Sequence, residues 1–202
     1  MLKNIIFDIG NVLSDFRWKE FLMDQGYDEA MAERMGDASV RTQAWHLSDR
    51  GDYSEEEILE MIVANDPKIE QELRSAFADW HEMVRPRAYA IPWVCELKER
   101  GYRVYYLSNW PRRATVECGD VLAFLPYTDG GILSYQEHLI KPDPAIFQCL
   151  LERYQLKAEE SVFVDDTLVN VEAAQKLGLM GIHFISKEQT EEEIRRLTIS
   201  HR

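Results

Sequence analysis

The chain has 202 residues, enough for one sizeable core or for a core domain with a smaller insert. Hydrophobic residues make up 46% and charged residues 29% of the sequence, values typical of globular proteins that exclude a wholly disordered or fibrous chain. The formal net charge of −13 disfavours a nucleic-acid partner, because binding to a phosphate backbone requires a basic face.

The cysteines and the apolar runs bear on where the protein works. Cys95, Cys118 and Cys149 are odd in number and have no C-x-x-C spacing, which favours reduced thiols. Lys3 interrupts the start of the chain too early for a secretory signal, and no apolar run approaches the length of a membrane span. We therefore predict a cytoplasmic protein that binds no membrane and is a monomer or a weak homodimer.

Short apolar runs rich in β-branched and aromatic residues predict buried strands. They lie at residues 2–7, 102–107, 161–164 and 181–185. Amphipathic segments at residues 90–100, 144–154 and 169–177 predict helices between or beside them. The alternation of strand and helix is typical of an α/β protein with a parallel, Rossmann-like sheet.

Residues 15–87 interrupt this alternation, because they carry helical patterns and no convincing strand. We therefore predict two domains. Residues 1–14 and 88–202 are expected to form the α/β core, and residues 15–87 a helical insert.

Two helices of this insert have recognisable starts. Ser54 begins a capping-box pattern that predicts a helix through Asn65, and Pro67 suits the first turn of a helix expected to run towards Met83. Four tryptophans are expected to pack in the core or the insert, with the last of them best placed to touch a substrate: Trp45, Trp80, Trp93 and Trp110.

Polar residues follow predicted strands at their carboxyl ends. They are Asp8, Ser108 with Asn109, and Asp165 with Asp166. In a parallel sheet these strand ends share one edge, where ligands bind. The sequence therefore predicts one crevice that collects three carboxylates, a hydroxyl and an amide, and we expect Lys141 to join them.

Clustered carboxylates repel one another unless a shared proton or a hard cation neutralises them. Mg²⁺ suits one or two carboxylates together with a substrate phosphate. A carboxylate can also be a nucleophile that forms an acyl phosphate and divides one difficult displacement into two easier ones. The metal, Lys141 and the Ser108 hydroxyl would offset the negative charge of that reaction.

Four short segments carry these residues in order along the chain. They are Phe7-Asp8-Ile9-Gly10-Asn11-Val12-Leu13, Leu107-Ser108-Asn109, Lys141-Pro142-Asp143-Pro144 and Val164-Asp165-Asp166-Thr167. Together they resemble the motifs of the haloacid-dehalogenase-like (HAD) superfamily. The resemblance implies a Rossmann-like core with an inserted helical cap of the C1 type, as in subfamily IA, and Mg²⁺-dependent hydrolysis of a small phosphorylated metabolite.

The resemblance also implies a metal site. Asp8 would be a Mg²⁺ ligand, and the backbone carbonyl of Gly10 and the carboxylate of Asp166 would complete the protein ligands. Asp165 and Asn170 would lie just outside these ligands, with Asp165 as a possible extra one.

The same resemblance implies the catalytic and phosphate-binding residues. Asp8 would be the nucleophile, assisted by Ser108 and Lys141. Ser108, Asn109 and Lys141 would hold the phosphoryl group.

One position departs from the pattern of family phosphatases, which usually carry a second aspartate two residues after the nucleophile to protonate the leaving group. Gly10 occupies that position here. The Asp-x-Gly-Asn-Val form resembles the subgroup typified by bacterial α-D-glucose-1-phosphate phosphatases, which makes a sugar phosphate the expected substrate by analogy. The general acid is left unassigned, with Asp15, His46 and Asp49 as candidates.

Two other functions compete with phosphatase activity. A haloacid dehalogenase also lacks the second aspartate, but its attack on carbon does not need the metal-binding acid of the fourth motif, which is present here. A catalytically weak binding module with the same fold is the other alternative, and Gly10 is the feature that favours it.

Overall fold

The computed structural model of the protein describes residues 1–200. Its strands are β1 (Asn4–Phe7), β2 (Ser14–Phe16), β3 (Val84–Pro86), β4 (Arg103–Ser108), β5 (Gly130–Leu133), β6 (Ser161–Asp165) and β7 (Met180–His183). Its α-helices are α1 (Trp18–Asp24), α2 (Glu29–Ala38), α3 (Gln43–Arg50), α4 (Glu55–Asn65), α5 (Glu70–Ala76), α6 (Ala90–Glu99), α7 (Arg112–Glu117), α8 (Ser134–Glu137), α9 (Pro144–Arg153), α10 (Leu168–Lys176) and α11 (Lys187–Ser200). Short 3₁₀ helices lie at Pro67–Ile69, Gly119–Tyr127 and Ala158–Glu160.

A five-stranded sheet in the order β5-β4-β1-β6-β7 forms the centre of the core. All its neighbouring strands are parallel, and Phe7 of β1 is in register with Tyr106 of β4 and Val164 of β6. The predicted α/β fold with a Rossmann-like parallel sheet is therefore confirmed. The order places β1 in the middle, so the residue that follows it lies between the ends of β4 and β6.

Strand β1 is buried because helices cover both faces of the sheet. Ile5 and Phe7 pack into one hydrophobic cluster on one face, and Ile6 packs into another on the opposite face. All three side chains are fully buried, which explains why a continuous apolar run and not an alternating pattern marks this strand. Among residues 1–200, no helix combines the length and the apolarity that crossing a bilayer requires.

The helical insert, α1 to α5, leaves the core through a two-stranded ribbon. Strands β2 and β3 pair antiparallel, with Asp15 opposite Arg85, and the insert lies between them. The prediction that residues 15–87 hold no strand is therefore wrong at both margins. Each of these strands has three residues, too few to produce a readable alternation of apolar and polar positions.

The insert has one helix as predicted and one that is shorter. Ser54 and Glu57 form the expected capping box at the start of α4. Helix α5 ends at Ala76 instead of running towards Met83. The Asp79 carboxylate accepts a hydrogen bond from the backbone N–H of His81, and such a local bond stabilises a turn in place of a further helical turn.

Strand β5 has no counterpart among the predicted strands. It is four residues long and begins Gly130-Gly131, residues that weaken a strand and are depleted in sheets. Gly131 is nevertheless required where it lies, because a Cβ atom there would collide with the backbone oxygen and the ring of Tyr106 on β4.

We expect Gly131→Ala to lower the free energy of unfolding by at least about 1–3 kcal/mol, since the extra methyl group forces β5 away from β4. Gly119→Ala is the matched control, because a Cβ atom at Gly119 meets no atom within 4 Å. Urea unfolding of both variants measures the difference. Equal stabilities would show that the sheet accommodates the methyl group at β5.

Candidate active site

The carboxyl ends of β1, β4 and β6 bring the predicted polar residues together. Asp8 follows β1, and its backbone N–H donates to the Val164 carbonyl of β6 at 2.9 Å. Ser108 is the last residue of β4 and Asp165 the last of β6. Because β1 is central, Asp8 lies between the other two side chains.

Lys141 connects these strand ends. Its Nζ lies 2.8 Å from Asp8 Oδ1 and 2.7 Å from Asp165 Oδ2, and its side chain is 1% exposed. The Ser108 hydroxyl donates to the same Asp8 Oδ1 at 2.6 Å. No described residue donates a hydrogen bond to the other oxygen, Asp8 Oδ2. The nearby protein groups therefore hold one oxygen of Asp8 and leave the second uncommitted.

The position of Lys141 depends on Asn109. The Asn109 amide donates to the Lys141 carbonyl at 3.0 Å and accepts from the Lys141 N–H at 2.8 Å. This two-point contact attaches the loop that carries Lys141, with its cis peptide bond to Pro142, to the end of β4. Most of the hydrogen-bonding capacity of Asn109 is thus used within the protein, and its expected contact with a phosphate stays a prediction.

Asp165 is fully engaged by protein donors. Its Oδ1 accepts from the Thr167 N–H at 2.7 Å, and the Asn170 amide lies 3.2 Å from both carboxylate oxygens. Lys141 occupies Oδ2 as well. A carboxylate with these partners anchors the lysine and has little capacity left for a metal, which supports the expected place of Asp165 and Asn170 outside the metal ligands.

Asp166 offers a more open carboxylate. It is half-buried, and Asn11 donates to its Oδ2 at 2.9 Å. Oxygen atoms of Asp8, Asp165 and Asp166 lie within 4.8 Å of one another. Gly10 lines the same cavity as Asp8 and Asp166. Carboxylate oxygens at this spacing suit a hard divalent cation, so the residues present fit Mg²⁺.

Burial dominates the electrostatics of the site. Burial raises the pKa of Asp8 to about 7, the Asp165 carboxylate adds to the rise, and Lys141 opposes it. Burial alone would lower the pKa of Lys141, but the carboxylates of Asp165 and Asp8 outweigh it and raise that pKa. The ammonium ion therefore stays charged and is the main cation that the chain itself provides at this edge.

A cavity of about 190 Å³ opens above Asp8, between the core and the helical insert. Its polar end contains Asp8, Gly10, Asn11, Asn109, Asp166 and Thr167. Its walls are mostly apolar and comprise Phe16, Trp45, Trp80, Met83, Val84, Trp110, Pro111 and Ala114. The Trp45 and Trp80 rings stack with centroids 5.0 Å apart, which gives this wall a rigid aromatic face.

The structure separates the three candidates for the general acid. Asp15 is half-exposed and paired with Arg87 at 2.7 Å, and His46 is exposed on α3. Asp49, also on α3, is 6% exposed and lines the cavity that contains Asp8. Burial raises the pKa of Asp49 to about 8, with a smaller rise from Asp8 and an opposing effect from Lys141.

Sequence reasoning missed Ser134, which joins the insert to the core. The buried Ser134 hydroxyl donates to the Asp49 carbonyl at 2.5 Å and accepts from the Trp110 N–H at 2.8 Å. No motif contains Ser134, and a serine after a short strand gives no local signal of such a contact. The tryptophan expectations were partly right, since Trp110 lines the cavity, but Trp45 and Trp80 also do.

The geometry defines a hydrolase-type site on a Rossmann-like core, and comparison with known proteins identifies the family. The haloacid dehalogenase-like hydrolase family matches residues 2–178, so the chain belongs to that family and the predicted superfamily is confirmed. It is 27% identical to a sesquiterpene phosphatase of Aspergillus oryzae, over 96% of both chains. It is 26% identical to a D-ribitol-5-phosphate phosphatase of Bacteroides thetaiotaomicron, over 88% of this chain and 89% of the relative.

A solved structure of a HAD-family enzyme from Bacteroides thetaiotaomicron, in complex with magnesium and inorganic phosphate, shares the fold. Its TM-score is 0.70 at 23% identity, with 93% of this chain and 96% of that chain covered. The match extends over both the core and the insert. The prediction that the protein is an enzyme of the hydrolase class is confirmed by the family.

Lys141→Met is expected to destabilise the protein by about 3–5 kcal/mol near neutral pH, because it leaves two buried carboxyl groups without their shared cation. The deficit should shrink at acidic pH, because the pKa of Asp8 is raised to about 7 and protonation of Asp8 removes its repulsion with Asp165. Lys157→Met is the control, since Lys157 is exposed and such surface changes usually have effects within about 0.5 kcal/mol. Chemical denaturation at two pH values measures both effects, and a pH-independent deficit would contradict this account.

Proposed function

We propose that the protein is a Mg²⁺-dependent phosphatase that hydrolyses a small phosphomonoester through a phospho-Asp8 intermediate. The observation that carries the proposal is the uncommitted Oδ2 of Asp8 at the polar end of the cavity. Lys141 and Ser108 fix the other oxygen, and a fixed carboxylate with one free oxygen is a suitable nucleophile. The two relatives named as phosphatases support the same reaction class.

In this mechanism Asp8 Oδ2 attacks the phosphorus atom, and the bond to the alcohol oxygen breaks. Lys141 offsets negative charge on the attacking carboxylate and on the phosphoryl oxygens, and the Ser108 hydroxyl orients the nucleophile. A Mg²⁺ ion held by Asp8, Asp166 and the Gly10 carbonyl would supply further charge neutralisation at the phosphoryl group. Water then attacks the phosphorus atom of phospho-Asp8, which releases inorganic phosphate and restores the carboxylate.

We also propose that the helical insert is a C1-type cap and that the chain belongs to subfamily IA. The contact of α3 with α8 through Ser134 supports a cap that closes on the core. A cytoplasmic location is consistent with Cys95, Cys118 and Cys149, which form no disulfide in the described part of the chain. A monomer or weak homodimer acting on a small phosphorylated metabolite remains our proposal for the assembly and the partner.

Asp8→Asn should reduce hydrolysis of p-nitrophenyl phosphate in the presence of Mg²⁺ by at least about a thousandfold, because the amide keeps the shape but removes the nucleophile. Asp120→Asn, at an exposed aspartate remote from the cavity lining, is the matched control and should keep full activity. The wild type should lose activity in excess chelator and recover it with Mg²⁺.

Each rival function gives a different result in that assay. Activity that persists in chelator, together with release of halide from 2-haloacids, would establish dehalogenase chemistry in place of phosphatase chemistry. Mg²⁺ binding by calorimetry without turnover of any phosphoester would establish the binding module.

The two relatives differ in the organic part of the substrate for which they are named: one is named for a sesquiterpene and the other for a sugar-alcohol phosphate. The cavity supports an apolar group. Its two amide side chains are committed within the protein, since Asn11 bonds Asp166 and the Phe16 N–H, and Asn109 bonds the backbone of Lys141. The uncommitted polar groups of the lining residues then include the Asp49 carboxyl group and the indole N–H groups of Trp80 and Trp110, and each hydroxyl group of a polyol left without a partner would cost about 1–3 kcal/mol.

We accordingly propose that the substrate is the phosphomonoester of an apolar alcohol. The aromatic and aliphatic walls supply mainly dispersion and hydrophobic burial, and their only buried side-chain polar groups without a partner among the described residues are the indole N–H groups of Trp80 and Trp110. The cavity volume of about 190 Å³ also has to hold the phosphoryl group at its polar end, so the remaining space suits a small apolar group such as a short alkyl chain. The sugar phosphate expected by analogy stays the alternative, supported by the ribitol-phosphate relative.

A series of primary alkyl phosphates tests the substrate class. We expect kcat/KM to rise about fourfold for each added methylene until the cavity is full, because burial of one methylene contributes about 0.8 kcal/mol. Replacing the terminal methyl group by a hydroxyl at constant chain length is the control and should lower kcat/KM about tenfold. Ribitol 5-phosphate or glucose 1-phosphate outperforming the whole alkyl series would contradict the apolar class and leave the phosphatase reaction intact.

A further inference from the structure

Because Gly10 has no side chain, the proposed reaction lacks a proton donor at position 10. The alkoxide of an aliphatic alcohol is a poor leaving group, and a positioned proton donor typically accelerates its departure by about a hundredfold to ten-thousandfold. A Cβ atom built on Gly10 meets no atom within 4 Å, so space for a side chain exists there but no acid occupies it. The donor has to come from another element that reaches the cavity.

Asp49, on α3, is an acid that reaches this cavity from another element. It lines the cavity together with Asp8 and Gly10, and it is 6% exposed. No described residue forms a hydrogen bond with its carboxyl group, and the carboxyl oxygens keep some exposure. Among residues 1–200, the other carboxyl groups that line this cavity, Asp8 and Asp166, both have hydrogen-bond partners. An unpaired acid at this place is therefore available to a ligand.

The backbone that carries Asp49 is fixed to the core. The Ser134 hydroxyl accepts from the Trp110 N–H and donates to the Asp49 carbonyl, so it ties the end of α3 to the loop that follows Ser108. The distance between the acid and the strand ends is thereby held by the fold, which a donor of this kind requires.

The protonation state of Asp49 suits a proton donor. Burial raises the pKa of its carboxyl group to about 8, so at neutral pH most molecules carry the proton. The charged groups that act on it from the core are Asp8, which raises the pKa further, and Lys141, which opposes the rise. An acid that is protonated near the working pH can give up its proton in the transition state.

We propose that Asp49 is the proton donor to the leaving alcohol, an assignment that rests on the phosphatase function proposed above. As Asp8 Oδ2 forms its bond to phosphorus, the bond between phosphorus and the ester oxygen breaks, and that oxygen takes the proton of Asp49. The resulting Asp49 carboxylate then accepts a proton from the water that attacks phospho-Asp8. Hydrolysis releases inorganic phosphate and returns both Asp8 and Asp49 to their starting states.

The first test is Asp49→Asn measured on esters with different leaving groups. With alkyl phosphates kcat/KM should fall about a hundredfold to ten-thousandfold, because the alkoxide then leaves unprotonated. With p-nitrophenyl phosphate it should change less than about threefold, because that leaving group needs little assistance. The ratio kcat/KM is the suitable quantity since it covers formation of phospho-Asp8 and not its hydrolysis. Asp15→Asn and His46→Gln are controls that should retain the wild-type ratio of alkyl to aryl activity.

The second test restores an acid at position 10. In the double variant Gly10→Asp with Asp49→Asn, the new carboxyl group occupies the space beside Asp8, and hydrolysis of alkyl phosphates should recover at least about tenfold over the single variant. Gly10→Asn with Asp49→Asn is the matched control and should give no recovery. A merely structural role for Asp49 would not be rescued by an acid at position 10.

The outcomes separate this assignment from the function on which it rests. If Asp49→Asn keeps the wild-type ratio of alkyl to aryl activity while the wild type is an active phosphatase, Asp49 is not the donor and the phosphatase proposal stands. If the alkyl and aryl rates fall equally and Gly10→Asp restores neither, Asp49 supports the structure and the assignment is wrong. A wild type inactive towards every ester would overturn the proposed function and the Asp49 step with it.

Discussion

The buried ammonium group of Lys141 is the contact on which the site depends. A parallel sheet collects the carboxyl ends of its strands at one edge, and in this chain that edge holds Asp8 and Asp165 almost without solvent. Two desolvated carboxylates at this spacing would repel each other or take up protons. Lys141 bridges them, and Asn109 in turn holds the backbone of Lys141. The lysine therefore permits the charge arrangement that the proposed nucleophile and metal ion would need.

This constraint explains the different roles of two adjacent aspartates. Asp165 accepts hydrogen bonds from Lys141, Thr167 and Asn170, so its carboxylate holds the lysine in place. Asp166, one residue later, turns towards the cavity and keeps capacity for a cation beyond its bond from Asn11. The sequence alone does not show which aspartate of an Asp-Asp pair would bind a cation. The different surroundings of Asp165 and Asp166 arise at the end of β6, because the side chains of successive residues in a strand point to opposite sides.

Much of the core and of its polar edge could be predicted from the sequence, because both are encoded locally. Four strands are continuous apolar runs, and Asp8, Ser108 and Asp165 lie directly at strand ends whose common edge follows from parallel pairing. The elements that were missed are short or weak in propensity: β2 and β3 have three residues each, and β5 begins with two glycines. Tertiary pairing decides such segments, and periodicity cannot reveal it.

The walls of the cavity were beyond prediction for a different reason. Hydrophobic periodicity indicates that Trp45 or Trp80 is buried but not which surface covers it, and the surface here belongs to residues far away in sequence. Asp49 was only one of three equal candidates until its burial beside Asp8 distinguished it from Asp15 and His46. Residues of this kind take their function from the docking of one chain segment on another, which a linear pattern does not contain.

The core and the insert contribute different groups to the cavity, which bears on how the proposed reaction would be controlled. Under the proposed function, the core holds the nucleophile and the phosphate-binding groups on rigid strand ends, whereas the proton donor and most of the apolar wall come from the insert and the ribbon that carries it. Under the proposed assignment, a proton reaches the leaving group only when α3 is docked through Ser134. An aspartate at position 10 would be present whether or not the insert is closed. Under these proposals, proton donation and exclusion of water would both depend on closure of the insert, so a substrate whose apolar group fills the cavity would promote the chemistry more than a poorly fitting phosphate.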